Sequence, residues 1–298
     1  MSDYLDELRS PDPVRRQHAA AMLAAAALPA EIVVPALKGA LDDANDIVRC
    51  YAAASLWRLD GGRSEYVQVF VAALASEDLD VRLEVTNLLG ELAEVPGVDI
   101  DVFLERLTEG LKSEAADLRR ATAMAFGAVA DSSDVAIPFL VEALGDLDCD
   151  VRLEAVCALA RHGTAAQDAV SALSDLAVNE ADDRIRIASI DALAAIDPSS
   201  PIAIRVFVAL LSNANDSVRH SAAVGLSNCS VLSEQDCLII SDVLLHERSP
   251  GVAYYLLVAL GKCSSGIDSF RPLFQLIGNR FSSNPAVVEV VEKLSTGR

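Results

Sequence analysis

The side chains able to do chemistry in this chain are few and scattered. Its four histidines, His18, His162, His220 and His246, stand far apart, and only His246-Glu247 sets a carboxylate directly beside an imidazole. A bound metal needs several such donors converging on one point, and this spacing supplies no such set. The six cysteines, Cys50, Cys149, Cys157, Cys229, Cys237 and Cys263, form no Cys-x-x-Cys pair and are too sparse for a secreted disulfide framework, so all six are expected as reduced thiols. Neither a glycine-rich phosphate loop, a Gly-x-Ser-x-Gly elbow nor a Cys-His nucleophile pattern emerges. The chain is therefore expected to be non-catalytic, with no metal and no cofactor.

One charged residue does recur. Arg15, Arg49, Arg82, Arg119, Arg152, Arg186 and Arg219 each stand behind Val, Leu or Ile, at successive distances of 34, 33, 37, 33, 34 and 33 residues. Chemically, such a row could hold anions or pair with carboxylates, and an aspartate lies two or three residues upstream of each. The row implies a repeated element to carry it. Two further copies, Val252-Ala253 and Val287-Val288, keep the apolar frame without the arginine.

Each copy reads as a helical hairpin. In Asp150-Val151-Arg152-Leu153-Glu154-Ala155-Val156-Cys157-Ala158-Leu159, apolar residues recur at helical spacing behind an aspartate able to cap the first turn. Upstream, the amphipathic stretch from Val135 to Leu144 supplies the partner helix, and the acidic turn Asp146 to Asp150 joins the two. Breaks at Asp60-Gly61-Gly62, Pro96-Gly97, Asp131-Ser132-Ser133, His162-Gly163 and Asp197-Pro198 divide one hairpin from the next. No strand pattern competes.

Composition agrees with helix stacking and narrows the partners. Hydrophobic residues make up 52% of the 298, but aromatics only 5%, so small side chains must fill the interior and helices must approach closely. The formal charge of −20, from 44 acidic and 24 basic residues, repels phosphate backbones and anionic lipid surfaces. Neither nucleic acid nor membrane is expected as a partner. The acidic start, Met1 to Glu7, lacks the basic residues of a signal peptide, and the apolar run Ala19 to Leu28 is too short to span a bilayer, so a cytoplasmic protein is expected.

The second-helix pattern Asp-x-x-Val-Arg-x-x-Ala-x-x-Ala-Leu resembles HEAT repeats of the short bacterial type, which are also found in phycobiliprotein lyases. The tetratricopeptide and ankyrin signatures that share this period are missing. The resemblance covers nearly the whole chain and implies an all-α, right-handed α-α superhelical solenoid of about eight or nine hairpins. Residues 1–298 would form one solenoid, with 1–28 an amino-terminal capping repeat, 29–246 regular repeats and 247–298 degenerate carboxyl-terminal repeats. The recurring arginines would then form a structural ladder with Asp46, Asp80, Asp117, Asp150, Asp183 and Asp216, in which paired charges give each interface its register.

In HEAT-like stacks the second helices line the concave face, which places the candidate partner contacts at Tyr51, Trp57, Arg58, Glu84, Asn87, Glu91, Glu154, Arg161, Asp191, Tyr254, Tyr255 and Lys262. Trp57 stands where other repeats carry Gly90, Gly127, Ala160, Ala194, Ser227 and Gly261, so it either fills a gap or projects as an anchor. The Tyr254-Tyr255 pair opens the first repeat without its arginine, and serves either to dock a partner or to cover the last hairpin. Acidic residues of successive turns, among them Asp42, Asp43, Glu77, Asp78, Glu109, Glu114, Asp146, Asp148, Glu180 and Asp182, are expected to line one edge and steer a basic partner.

The function so implied is a protein-protein interaction scaffold or adaptor, favoured as a monomer, binding a polypeptide along its concave and acidic surfaces. Two alternatives share the fold: a phycobiliprotein lyase-like bilin and protein chaperone or enzyme, and an immunity or inhibitor protein masking a basic effector. HEAT-like deoxyhypusine hydroxylases need several His-Glu pairs, and HEAT-like alkylpurine DNA glycosylases need a basic groove; this chain departs from both.

Overall fold

The computed structural model describes residues 3–26, 28–60, 64–93, 108, 110–129, 133–263 and 267–296. The sequence breaks at Gly61-Gly62, Pro96-Gly97 and Asp131-Ser132, and the acidic Glu109, lie outside these residues. Among the described residues every regular element is helical and none is a strand. They form two compact units, Met1–His162 and Gly163–Arg298. The boundary falls at Gly163, whose φ of 54° is comfortable only without a side chain.

In the first unit, α1 (Asp3–Glu7) pairs with α2 (Pro13–Leu23), α3 (Ala30–Ala40) with α4 (Asp46–Asp60), and α5 (Ser64–Leu74) with α6 (Leu79–Ala93). Helix α7 (Ala116–Ala128) follows, and α8 (Ser133–Ala143) pairs with α9 (Cys149–His162). The second helices α2, α4, α6, α7 and α9 pack on one another in chain order, forming a layer behind the first helices. The second unit repeats this plan. A 3-10 turn (Gly163–Ala169) leads into α10 (Val170–Asn179), which pairs with α11 (Asp183–Ile196). Then come α12 (Pro201–Leu210) with α13 (Asp216–Asn228), α14 (Glu234–His246) with α15 (Pro250–Leu260), and α16 (Arg271–Arg280) with α17 (Pro285–Thr296). Helices α11, α13, α15 and α17 form its second-helix layer.

Most second helices start at a polar cap, whereas α7 and α15 have no side-chain cap bond. Asp12 accepts from the N–H of Val14, Asn45 from Ile47 and Val48, Asp78 from Asp80, Asp182 from Arg184 and Asn215 from Ser217. For α9 the cap is Asp148, which accepts from Asp150 and Val151; the aspartate read as the cap from the sequence, Asp150, is already inside the helix. Each such cap satisfies amides that the helix itself cannot, and removing one costs about 1 kcal/mol.

Small residues set the spacing between layers. Ala52, Ala53 and Ala54 of α4, Ala121, Ala123 and Ala125 of α7, and Ala155 and Ala158 of α9 are buried, so neighbouring helix backbones come close. At Gly127 a β-carbon would stand 2.9 Å from the Cα of Ala158. Glycine is the residue that lets α7 and α9 meet there. The apolar frame position serves the same interior: Val48, Val151, Ile185, Val218, Val252 and Val287 are fully buried, and Val81 and Leu118 are half-buried.

Three sequence expectations are corrected here. Val14 is 66% exposed while Val48 and its counterparts are buried or half-buried, and Arg16 bonds the carbonyls of Ser10 and Pro11, so the amino-terminal repeat is in register one residue later, with Arg15 in the valine slot and Arg16 in the arginine slot. Trp57 is fully buried, its indole lying against Tyr66 of α5 with ring centroids 6.4 Å apart, and it presents no anchor to a partner. The bulk fills the interior of the α3 to α5 region where other repeats use a small residue. Lastly, the six cysteines are not all thiols: Cys237 of α14 is joined to Cys263, just beyond α15, in a disulfide, while Cys50, Cys149, Cys157 and Cys229 take part in none.

Candidate functional site

The recurring arginines sit at the turn edge of each hairpin, where the first helix hands over to the second. Each sends its guanidinium back to backbone carbonyls six and, in most copies, five residues upstream. Arg16 donates to Ser10 and Pro11, Arg82 to Ser76 and Glu77, Arg119 to Ser113 and Glu114, Arg152 to Asp146 and Leu147, and Arg219 to Asn213 and Ala214. Arg49 reaches the carbonyl of Asp43, and Arg186 that of Glu180. These bonds satisfy carbonyls of the turn that follows the first helix.

Three of these arginines also reach a carboxylate of the following repeat. Arg16 forms a two-point pair with Asp43 at 2.7 and 2.9 Å, Arg119 with Asp146 at 2.7 and 2.8 Å, and Arg219 with Glu247 at 3.0 and 3.3 Å. Asp43 and Asp146 also offer their own carbonyls to Arg49 and Arg152, so one residue links two successive arginines. Where the corresponding residue is Ser76 or Asn213, Arg49 and Arg186 turn instead to Asp46 and Asp183 of their own helices. Arg219 pairs with Asp216 as well as Glu247. Of the remaining expected partners, Asp117 lies 3.7 Å from Arg120, not in the Arg119 pair, Asp80 is exposed, and Asp150 lies beside the thiol of Cys149. Arg15 is exposed at the surface, outside the slot that Arg16 fills.

Asp43, Asp146 and Glu247 are the linking residues that the sequence reading missed. Their signal was present as a carboxylate 27 or 28 residues after one arginine and six before the next frame position. The hydrogen bond from Arg16 holds the Asp43 carboxyl below the usual carboxylate range, against some desolvation, and Arg119 does the same for Asp146. Burial pushes Glu247 upward, but Arg219 and the amides of Ser249 and Arg248 outweigh it, and the net shift is down.

On the second-helix face of the first unit, the candidate residues fall into two groups. Tyr51 on α4 donates its hydroxyl to Oε1 of Glu84 on α6 at 2.6 Å, and burial, then Glu84, raises the phenol to about 12. Glu91, Asn87 and Arg58 are exposed. Further along, Glu154 of α9 is half-buried; desolvation raises its carboxyl, opposed by Arg161, Arg120 and Arg82. The Arg161 guanidinium lies across Gly127, 3.1 Å from where a β-carbon would stand.

In the second unit, α11, α13 and α15 bring Asp191, His220, Ser221, Tyr254 and Tyr255 onto one face. Asp191 is exposed; partial desolvation raises its carboxyl, while the nearby Ser221 hydroxyl and His220 work the other way. Tyr255 is edge-on to both Tyr254, at 5.0 Å and 88°, and His220, at 5.2 Å and 88°. Lys262 donates its ammonium to the carbonyl of Ser227. His220 occupies a groove-facing position of the second-helix frame, as the repeat pattern implies, whereas Ser221 was absent from the candidate contacts, and a serine beside it gives no warning of this meeting. Among the described residues, Asp148, Cys149 and Asp150 bring donor atoms within 4.8 Å of one another, but Asp148 is engaged in capping α9. No described helix is long and apolar enough to cross a membrane.

Comparison with known proteins matches the chain to HEAT repeats over residues 34–127, 104–194 and 137–227. No curated protein matches it by sequence. Among solved structures, an engineered protein is 24% identical, with a TM-score of 0.54, covering 99% of this chain and 88% of that one. Kap95p, in a structure with RanGDP, is 14% identical with a TM-score of 0.64 over 99% of this chain, and Kap121p bound to Pho4p is 14% identical with 0.63 over 98%. This chain spans only 45% and 37% of those two proteins. The likenesses to solved structures carry the helical-solenoid fold alone, whereas the repeat match extends through more than half of the sequence. With its paired helices, buried Val or Ile positions and arginine-linked turns, the chain belongs to the HEAT-repeat family.

Proposed function

We propose that this protein is a non-catalytic scaffold or adaptor that binds a partner polypeptide along its second-helix face. The observation that carries the reading is the contrast between two sets of residues on the same helices. Those that repeat, the buried valines and the turn arginines, are engaged in holding hairpins together. Those that do not repeat, such as Tyr51, Glu84, Glu154, Asp191 and Tyr255, stand at or near the surface and differ from one hairpin to the next. A surface whose composition varies while its support stays constant suits recognition of one extended partner. Two proteins of the same fold, Kap95p and Kap121p, were each solved with a protein partner, Ran and Pho4p.

The partner carries net positive charge. The chain's formal charge of −20 supports this, although Asp43 and Asp146 are engaged by arginines and Asp12, Asp78, Asp148 and Asp182 by helix caps. Steering therefore falls to residues such as Glu77, Asp80, Glu91 and Glu114, which remain exposed.

Affinity capture from the native host tests the reading with three baits: the wild type, a Tyr51→Ala/Glu91→Lys variant, and Gln68→Ala on the exposed side of α5. A reproducible basic protein retained by the wild type and Gln68→Ala, and lost from the face variant, is expected. Retention by all three baits, or equal loss from both variants, refutes it.

A further inference from the structure

We propose that Tyr254, Tyr255, His220 and Asp191 form a corner on the second-helix face of the second unit that takes a lysine or arginine side chain of a polypeptide partner. The inference rests on the reading of that face as a partner-binding surface and adds to it the chemistry of one contact.

The corner is built by three successive second helices. Asp191 comes from α11, His220 and Ser221 from α13, and Tyr254 and Tyr255 from α15. Tyr255 is the central ring, with Tyr254 and His220 both standing perpendicular to it at 5.0 and 5.2 Å. Two rings at right angles to a third leave faces turned in different directions, and all three are only half-buried. Gly251 gives the His220 ring room, because a β-carbon there would lie 3.3 Å from its Cε1 and Nδ1 and require a small shift of the ring.

Charge selects the occupant. An aromatic face is electron-rich and attracts a cation within about 6 Å of its centroid, and guanidinium or ammonium groups are the usual protein ligands. Asp191, exposed on α11 near His220 and Ser221, adds a carboxylate to this aromatic group, and an arriving cation would find an opposite charge there. The cations of this region have partners of their own: Lys262 is bonded to the Ser227 carbonyl, and Lys293 of α17 to Glu289 at 2.6 Å. The whole chain, at −20, favours approach of a positive group and repels an acidic one.

The test uses the full chain and a short labelled peptide alternating lysine with alanine, followed by fluorescence anisotropy at low salt. A second peptide carries norleucine for lysine, keeping the aliphatic arm without the ammonium. The wild type is expected to bind the lysine peptide and discriminate against the norleucine one. Tyr254→Leu and Tyr255→Leu keep apolar bulk but remove the aromatic face, and each is expected to weaken binding roughly three- to tenfold. Asp191→Asn, a surface change that leaves the rings in place, is expected to weaken binding and flatten its salt dependence, so the test stands even if a tyrosine variant folds poorly. Absence of lysine-peptide binding, equal binding of the norleucine peptide, or unchanged affinity in both Tyr255→Leu and Asp191→Asn overturns the corner. Loss of the peptide in Tyr51→Leu, with Tyr255→Leu unaffected, also overturns it while sparing the broader face. Failure of partner capture with the peptide results intact would instead overturn the scaffold reading alone.

Discussion

At the scale of single residues, the turn arginines and their carboxylates govern how firmly one repeat holds the next. Arg16, in a two-point pair with Asp43, and Arg15, exposed beside it, make an internal comparison. Arg16→Ala is expected to lower the thermal midpoint, whereas Arg15→Ala is expected to leave it unchanged; equal effects would contradict the one-residue register assigned to the amino-terminal repeat. Glu247 predicts a pH effect of definite sign. Its carboxyl is held below the ordinary value, so the stability it contributes is complete above the normal Glu range of about 4.3 and is lost as pH falls through the lowered folded-state value. Glu247→Gln removes the charge but keeps one acceptor for Arg219, and is expected to cost about 1 kcal/mol near neutrality. In urea titrations from neutral to acid pH, the gap between wild type and variant should close below the ordinary carboxyl range. A constant gap would show that Arg219 draws no stabilisation from that charge. Trp57 belongs to the interior, and Trp57→Ala should cost about 3 to 5 kcal/mol through the cavity it leaves, measurable by denaturant midpoint.

At the scale of helices, the distance between second helices is set by what lacks a side chain. Ordinary helix propensity favours alanine over glycine by about 1 kcal/mol, so Gly to Ala changes should stabilise where space is open. Gly39 of α3 has nothing within 4 Å of a β-carbon position, and Gly39→Ala is expected to raise stability. At Gly127 the same methyl would meet the backbone of α9 at 2.9 Å, a contact that a flexible side chain cannot yield, and Gly127→Ala is expected to be destabilising despite the better propensity. Opposite signs in thermal melts of the two variants would establish that helix contact, not helix formation, limits stability. Two variants shifting in the same direction would contradict the close α7 to α9 approach.

At the scale of the whole molecule, stability in a repeat array is close to a sum of units and their neighbouring contacts. The second compact unit, Gly163–Arg298, contains four helix pairs with their own buried residues, among them Leu173, Ile190, Phe207, Leu226, Leu256 and Phe274. A fragment of residues 163–298 is therefore expected to fold by itself, with helical circular dichroism and a cooperative melt. A fragment without ordered helix would show that this unit depends on the residues before it. Charge also acts at this scale: at −20, association with a basic partner should slow by roughly an order of magnitude as salt rises from low to physiological strength, a dependence that stopped-flow measurement would reveal.

The helical repeat was legible in the residues themselves because its cause is local and recurs: an apolar frame at helical spacing, a polar cap and an arginine return together along the chain. The same periodicity concealed the shift at Val14-Val-slot level, since Arg15 and Arg16 are adjacent and only burial of one neighbour over another distinguishes them. Composition alone likewise marked Trp57 as exceptional, yet whether an indole turns inward depends on the volume left by helices from other parts of the chain. The linking roles of Asp43, Asp146 and Glu247, and the meeting of Asp191, His220 and Tyr255, required three-dimensional packing for the same reason. Local chain chemistry determined that helices form and where they begin; distances between side chains about one repeat apart were decided only when those helices stacked.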